Sequence, residues 1–164
     1  MSRATVRTGI MSWLTGQVPG INTVYRTFPR SVPATAFVAG QTGARYGAVA
    51  SVHILSDAEQ RIALGGATNG WKRLDYQIEI QLWFRWTGPV TDVGDDAGIE
   101  ASDVFDTMVD TLKARIRADR TAGGTVWQWG EKRLTGRYGE LVERGDALEL
   151  WAGIVVEVTE MLPT

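Results

Sequence analysis

The sequence predicts an α+β fold: an antiparallel β-sheet with one long helix packed on a face, and a short N-terminal helix. Three observations predict it. The segments "LDYQIEIQLWFRW" (residues 74–86) and "LELWAGIVVEVT" (148–159) alternate apolar and polar side chains with a period of two, as half-buried strands do. Between them, "GIEASDVFDTMVDTLKARIRAD" repeats its apolar residues at helical spacing. Finally, 164 residues with 44% hydrophobic and 22% charged side chains suffice for one domain with its own core and are too few for two. The domain expected is therefore a single one over 1–164, with a Pro/Gly-rich extended region at about 18–46.

From Ala4 to Leu14, the residues Val6, Ile10, Trp13 and Leu14 recur at helical spacing, and Gly16 and Pro19 stop the pattern. A short amphipathic helix is expected there. In "VPGINTVYRTFPRSVPATAFVAGQTGARYG" prolines and glycines interrupt short β-prone pieces such as "TVYRTF", which suggests a long loop with one or two short strands. Next, "AVASVHILS" is β-prone, "DAEQ" has turn-forming residues and "RIALGG" is able to pair back, so residues 48–66 read as a hairpin.

In the first long strand, Tyr76, Ile78, Ile80, Leu82, Phe84 and Trp86 fall on one face; Asp75, Gln77, Glu79, Gln81, Trp83 and Arg85 fall on the other. In the closing strand, Leu148, Leu150, Ala152, Ile154, Val156 and Val158 oppose Glu149, Trp151, Gly153, Val155, Glu157 and Thr159. The helix between them carries Val104, Phe105, Met108, Val109, Leu112 and Ile116 on one stripe, which covers the apolar sheet face. Its start is acidic (Asp95, Asp96, Glu100, Asp103) and its end basic (Lys113, Arg115, Arg117, Arg120), as the helix dipole favours. "TAGG" ends it, and "TVWQWG" and "KRLTGRYGELVE" read as strand fragments leading to a turn at "RGDA".

Composition narrows the function. A formal charge of −2 and a pI of about 5.4 give no global positive field for a phosphate backbone, so specific nucleic-acid binding is not expected. With no cysteine, disulfides, thiolate–zinc sites and thiol nucleophiles are excluded. The N-terminus lacks the apolar core of a signal peptide, and no apolar run approaches the roughly 18 residues a membrane span needs, so a cytosolic origin and no membrane partner are expected.

The individual motifs each have a plain explanation. "GGATNGWK" (Gly65 to Lys72) has phosphate-loop glycine spacing, but Trp71 stands where lysine should follow and a strand comes next, so it reads as a loop. Arg144-Gly145-Asp146 matches an adhesion tripeptide, but a charged, glycine-containing hairpin turn before a strand explains it at no extra cost and is the reading taken. The one histidine, His53, makes no familiar zinc site or triad by spacing and reads as structural or solvent-facing. The carboxylates of "DVGDDAGIEASD" lack the alternation of a calcium loop, and helix N-terminal charge suffices for them. No catalytic, cofactor or metal residues are assigned.

Trp83 and Trp151 fall on the nominally polar sheet face, beside Gln81, Arg85 and Glu149. Tryptophan mixed with amides and paired charge suits a protein interface. Coverage by the N-terminal helix or by the 18–46 segment is the competing explanation, and the sequence leaves both open.

The order of elements, with "VPGINTVYRTFPR", "QIEIQLWFRW", one long helix and "ELWAGIVVEVTEML", resembles that of the tail terminator proteins of long-tailed (siphovirus-type) bacteriophages. The likeness covers nearly the whole chain and rests on architecture, with no diagnostic motif. It implies a structural virion protein at the head-proximal end of the tail, assembled in the host cytoplasm as a hexameric ring. Such a ring caps the tail tube, contacts the tube protein and a head-completion or connector protein, lets DNA pass through, and needs no cofactor or catalysis. Contact candidates are Trp83, Arg85, Trp151 and Glu149 from alternation, with Arg26, Arg30 and Arg45 of the 18–46 segment as docking residues. The alternatives are another head–tail connector or minor tail protein, and, in a different class, a small enzyme or ligand-binding domain using carboxylates under the helix.

Overall fold

The computed structural model describes residues 3–27, 29–41, 43–62, 70–87 and 96–163. In chain order the elements are α1 (Arg3–Leu14), β1 (Ile21–Tyr25), α2 (Ala34–Phe37), β2 (Tyr46–Ile62), β3 (Trp71–Trp86), α3 (Asp96–Ala118), β4 (Gln128–Tyr138), β5 (Val142–Arg144) and β6 (Ala147–Pro163). The α+β class read from the sequence is the fold observed.

The strands form one sheet in the order β1-β2-β3-β6-β4, with β5 also paired to β6. Every pairing is antiparallel except β1 with β2, which is parallel. The sheet is therefore mixed at one edge. The two alternating segments lie side by side at its centre in unbroken register, from Trp71 opposite Pro163 to Trp86 opposite Leu148. Alternation on both strands fixes that register, because a slip of one residue would turn every apolar side chain to the wrong face.

The first face of the sheet is the core. Tyr76, Ile78, Ile80, Leu82, Phe84 and Trp86 are all buried, with Leu148, Leu150, Ala152, Ile154, Val156 and Val158 beside them. From α3 the residues Phe105, Met108, Val109, Leu112 and Ile116 close over this face, Val104 packs at its margin, and Ala101 joins them. Each large apolar side chain so buried is worth about 1.5–3 kcal/mol, before chain entropy is set against it.

The other covering helix, α1, buries Val6, Ile10, Trp13 and Leu14, the residues its periodicity selects. Trp13 meets Trp129 of β4 edge to face, with ring centroids 4.6 Å apart. Its indole nitrogen donates to Asp119 at 2.8 Å, which fastens α1 to the end of α3. Asp119 also accepts from the Thr121 and Gly123 amides and the Thr121 hydroxyl. Burial opposes its ionisation, but these donors prevail and hold its carboxyl below the ordinary value of 3.8.

One expectation is corrected. Residues 48–66 do not form a hairpin. The chain runs straight through "DAEQ" as part of β2, and Asp57, Ala58, Glu59 and Gln60 pair with Tyr76, Asp75, Leu74 and Arg73 of β3. Beyond an irregularity between Ile54 and Ser56 the strand leaves the core, and residues 55–61 are exposed. Neither face is then buried, so alternation no longer marks the strand, and polar residues that suit a turn also suit a solvated ribbon. An ion pair of 2.7 Å between Lys72 and Glu59 holds the two strands there. Arg61 and Ile62 of the expected return strand continue β2 opposite Lys72 and Trp71; the rest of that strand and most of the "GGATNGWK" loop fall on residues 63–69, outside the described residues, as do Asp92 and Asp95 of the acidic stretch.

Coverage of the other face, left open by the sequence, comes in part from the 18–46 segment. Within the 18–46 segment a parallel strand and a one-turn helix appear, and α2 lays Ala36 and Phe37 on Val49, with Val32, Tyr25 and Trp83 around them. Part of the second face is thus covered by the chain itself. Asn22 and Thr23 secure this layer by donating to the carbonyls of Phe37 and Ala36.

At the far edge β4 and β5 run one after the other along β6, and the Gly139 amide bridges the break by donating to the Trp151 carbonyl at 3.0 Å. Arg144-Gly145-Asp146 closes the hairpin from β5 to β6, with Gly145 at φ +60°, as a charged turn requires.

Candidate protein interface

Four of the seven candidate contact residues come together on the second face. Trp83 of β3 and Trp151 of β6 are direct cross-strand neighbours, stacked with centroids 6.4 Å apart and planes 25° apart. One register step on, Arg85 faces Glu149 with 4.0 Å between their charged groups. Glu149 is also approached by Arg144 from the β5–β6 turn at 3.4 Å, so one carboxylate lies between two guanidiniums. The Arg85 Nε is buried without a hydrogen-bond partner among the described residues.

The tryptophans are held differently. Trp83 leans on the Val49 and Phe37 layer and is part of a small second core. Trp151 lies across Gly139, where an added Cβ would come within 1.8 Å of its indole nitrogen. Both remain partly exposed, so neither explanation offered by the sequence is complete: α2 covers one flank of the pair and leaves the other open.

The three remaining candidates are not part of this cluster. Arg26 and Arg30 stand exposed in the layer between β1 and α2. Arg45 is exposed just before β2, where its carbonyl accepts from the Thr87 amide at 2.6 Å.

Alternation alone did not single out the polar row beside the tryptophans. Ser51 and His53 of β2 share a hydrogen-bonding distance of 2.9 Å, His53 lies opposite Glu79, and Gln81 donates to Glu79 at 2.9 Å. Glu79 is 7% exposed, and Gly153 makes room for it, since a Cβ there would come within 2.5 Å of its carboxylate. Burial pulls the His53 pKa below 6.5, against the opposing pull of Glu79 and with a smaller push from Arg7. Serine, histidine and glutamate are the residue types of a nucleophilic triad, but Ser51 is 1% exposed and offers a substrate no approach. Each strand thus pairs its own polar side chains along this face, Ser51 with His53 on β2 and Gln81 with Glu79 on β3.

Two of the grooves among the described residues lie elsewhere. One, of about 370 Å³, runs between α3 and the start of β2, lined by Pro19, Tyr46, Asp103, Val104, Thr107 and Met108. The other, of about 280 Å³, lies on the ribbon beside Asp57, Asp75 and Glu157. Arg3 pairs with Asp57, and Arg73 with Asp75 at 2.9 Å, so two of these carboxylates are already neutralised. Among the described residues no set of three His, Asp or Glu side chains is placed to hold a metal ion, and no helix is long and apolar enough to cross a membrane.

A scan against models of known protein families finds no match, and neither does a search of curated proteins.

Proposed function

We propose that this chain is a structural subunit of a phage tail, a terminator that self-associates into a ring, caps the tail tube and joins it to the head-completion proteins. The observation that carries this reading is the second sheet face, where a stacked tryptophan pair is bordered by an arginine and a twice-bridged glutamate. An aromatic centre with a charged rim is the anatomy of a protein contact. Supporting it is the order of elements that resembles the terminator family. Among the described residues, the triad-like row keeps its serine buried, which favours a binding role over a catalytic one.

The reading assigns Trp83, Trp151, Arg85 and Glu149 to the contact between subunits or with the tube, and Arg26, Arg30 and Arg45 to docking. It is tested by adding the purified protein to polymerising tube subunits and measuring tube lengths by electron microscopy. A terminator halts elongation and leaves one ring at one end of each tube. Tubes that grow to the same lengths with and without the protein contradict the terminator role and favour another neck or tail position.

A further inference from the structure

We infer that copies of this chain associate head to tail, with the acidic outer stripe of α3 in one copy seated on the arginine-bearing second face of the next. The inference rests on the self-associating reading above and specifies which two surfaces meet.

Charge is distributed unevenly along the chain. The first 56 residues hold five arginines and no Asp or Glu, whereas residues 87–112 hold seven carboxylates and no Lys or Arg. The fold keeps Arg3 and Arg7 on α1, on the same side of the sheet as α3, and places Arg26 and Arg30 in the layer on the other side. On α3, Phe105, Met108, Val109 and Leu112 face the core, while Glu100, Asp103, Asp106 and Asp110 are exposed on the opposite side of the same turns. On the second face, the layer from β1 to α2 exposes Arg26 and Arg30, and Arg137 of β4 is exposed in register with Gly153.

Both surfaces carry an apolar element within the charge. Ile99 is 56% exposed among the acidic residues of α3. Its counterpart is the half-open Trp83/Trp151 pair between the arginines. Beside the stripe, the groove of about 370 Å³ has an apolar floor of Val104, Met108 and Pro19, the Tyr46 ring on one wall and Asp103 at its rim. An aliphatic stem ending in a guanidinium suits such a groove, since the stem packs on the floor and the head reaches both a carboxylate and an aromatic face. A second copy supplies that side chain from Arg26 or Arg30.

The two surfaces differ, so the contact is heterologous, and heterologous contacts generate rings when the rotation closes. A basic surface meeting an acidic one also sets the direction of docking and disfavours pairing of like faces.

The test exchanges the charges. Asp103→Lys/Asp106→Lys makes both surfaces basic, and Arg26→Glu/Arg30→Glu makes both acidic. All four positions are exposed, so both proteins are expected to keep the circular dichroism spectrum and melting temperature of the parent. The milder pair Asp103→Asn/Asp106→Asn and Arg26→Gln/Arg30→Gln serves if either reversed protein unfolds. By light scattering the parent is expected to form oligomers that weaken as salt rises. Each reversed variant alone is expected to associate at least about tenfold more weakly. An equimolar mixture is expected to recover the parental mass, because each variant then offers the other a complementary surface; the neutralised variants show partial weakening and reduced salt dependence.

Variants that keep the parental mass overturn the proposal while leaving self-association standing, and would turn the α3 stripe toward solvent or a channel. Variants that weaken without recovery on mixing overturn it as well, since the charges would then not face each other. A parent that stays monomeric at every concentration overturns both this inference and the self-associating reading.

Discussion

Trp151 lies over the backbone at Gly139 and beside Trp83, and its environment sets what a substitution there does. Its ring is partly exposed and belongs to no buried cluster, so Trp151→Glu is expected to weaken self-association strongly while the monomer keeps its melting temperature within a few degrees. Trp83 packs on the second core, so Trp83→Glu is expected to lower stability as well, by about 1–3 kcal/mol in denaturant titration. Equal stability losses for the two would contradict the half-open arrangement of the pair. Gly139→Ala is expected to destabilise by about 1–3 kcal/mol, because the new methyl group must push the indole aside. A parental melting curve for it would place the ring elsewhere.

His53 provides a pH test. Its folded pKa lies below 6.5 through burial, so the unfolded chain takes up the proton first as pH falls. Stability contributed by neutral His53 is therefore complete above pH 6.5 and declines as the pH drops through that value toward the lower folded pKa. Stability measured in urea from pH 8 to 5 is expected to fall, and His53→Gln to flatten the slope in the pH 5–6.5 part. An unchanged slope in the variant would contradict the burial of this imidazole.

At the scale of elements, α1 depends on Trp13. The residue meets Trp129 edge to face and donates to Asp119, so Trp13→Ala removes an aromatic contact, a buried area and a link to α3 together. A loss of about 3–5 kcal/mol is expected in denaturant unfolding, accompanied by faster amide exchange throughout α1. A loss under 1 kcal/mol, with α1 still protected, would show that the helix is held elsewhere.

The elements with a buried stripe were legible from the sequence. Val6, Ile10, Trp13 and Leu14, the α3 stripe and the two alternating strands all repeat at the period of the face they bury. Where no face is buried the pattern is lost, so the β2 extension past Leu55 looked like a turn at Asp57–Gln60. The strand β1 has 5 residues and α2 has 4, too few for a period to emerge, so neither the parallel edge nor the cover over Val49 could be read. The sequence placed Trp83 and Trp151 on the same nominally polar face, but that they are direct cross-strand partners needed the structure. The Ser51, His53 and Glu79 row stayed hidden because polar residues on a nominally polar face give no signal of burial.

For the whole molecule, the sheet separates the acidic stripe of α3 from the tryptophan pair and from Arg26 and Arg30, while Arg3 and Arg7 of α1 and Arg115 and Arg117 of α3 share the helical side. That polarity, with the overall charge of only −2, favours ordered association between copies over general repulsion. Self-association is measured by light scattering of the purified chain across a concentration series. The mass is expected to rise with concentration toward six times 18.0 kDa, about 108 kDa. A mass that remains at 18.0 kDa over the whole series would contradict self-association.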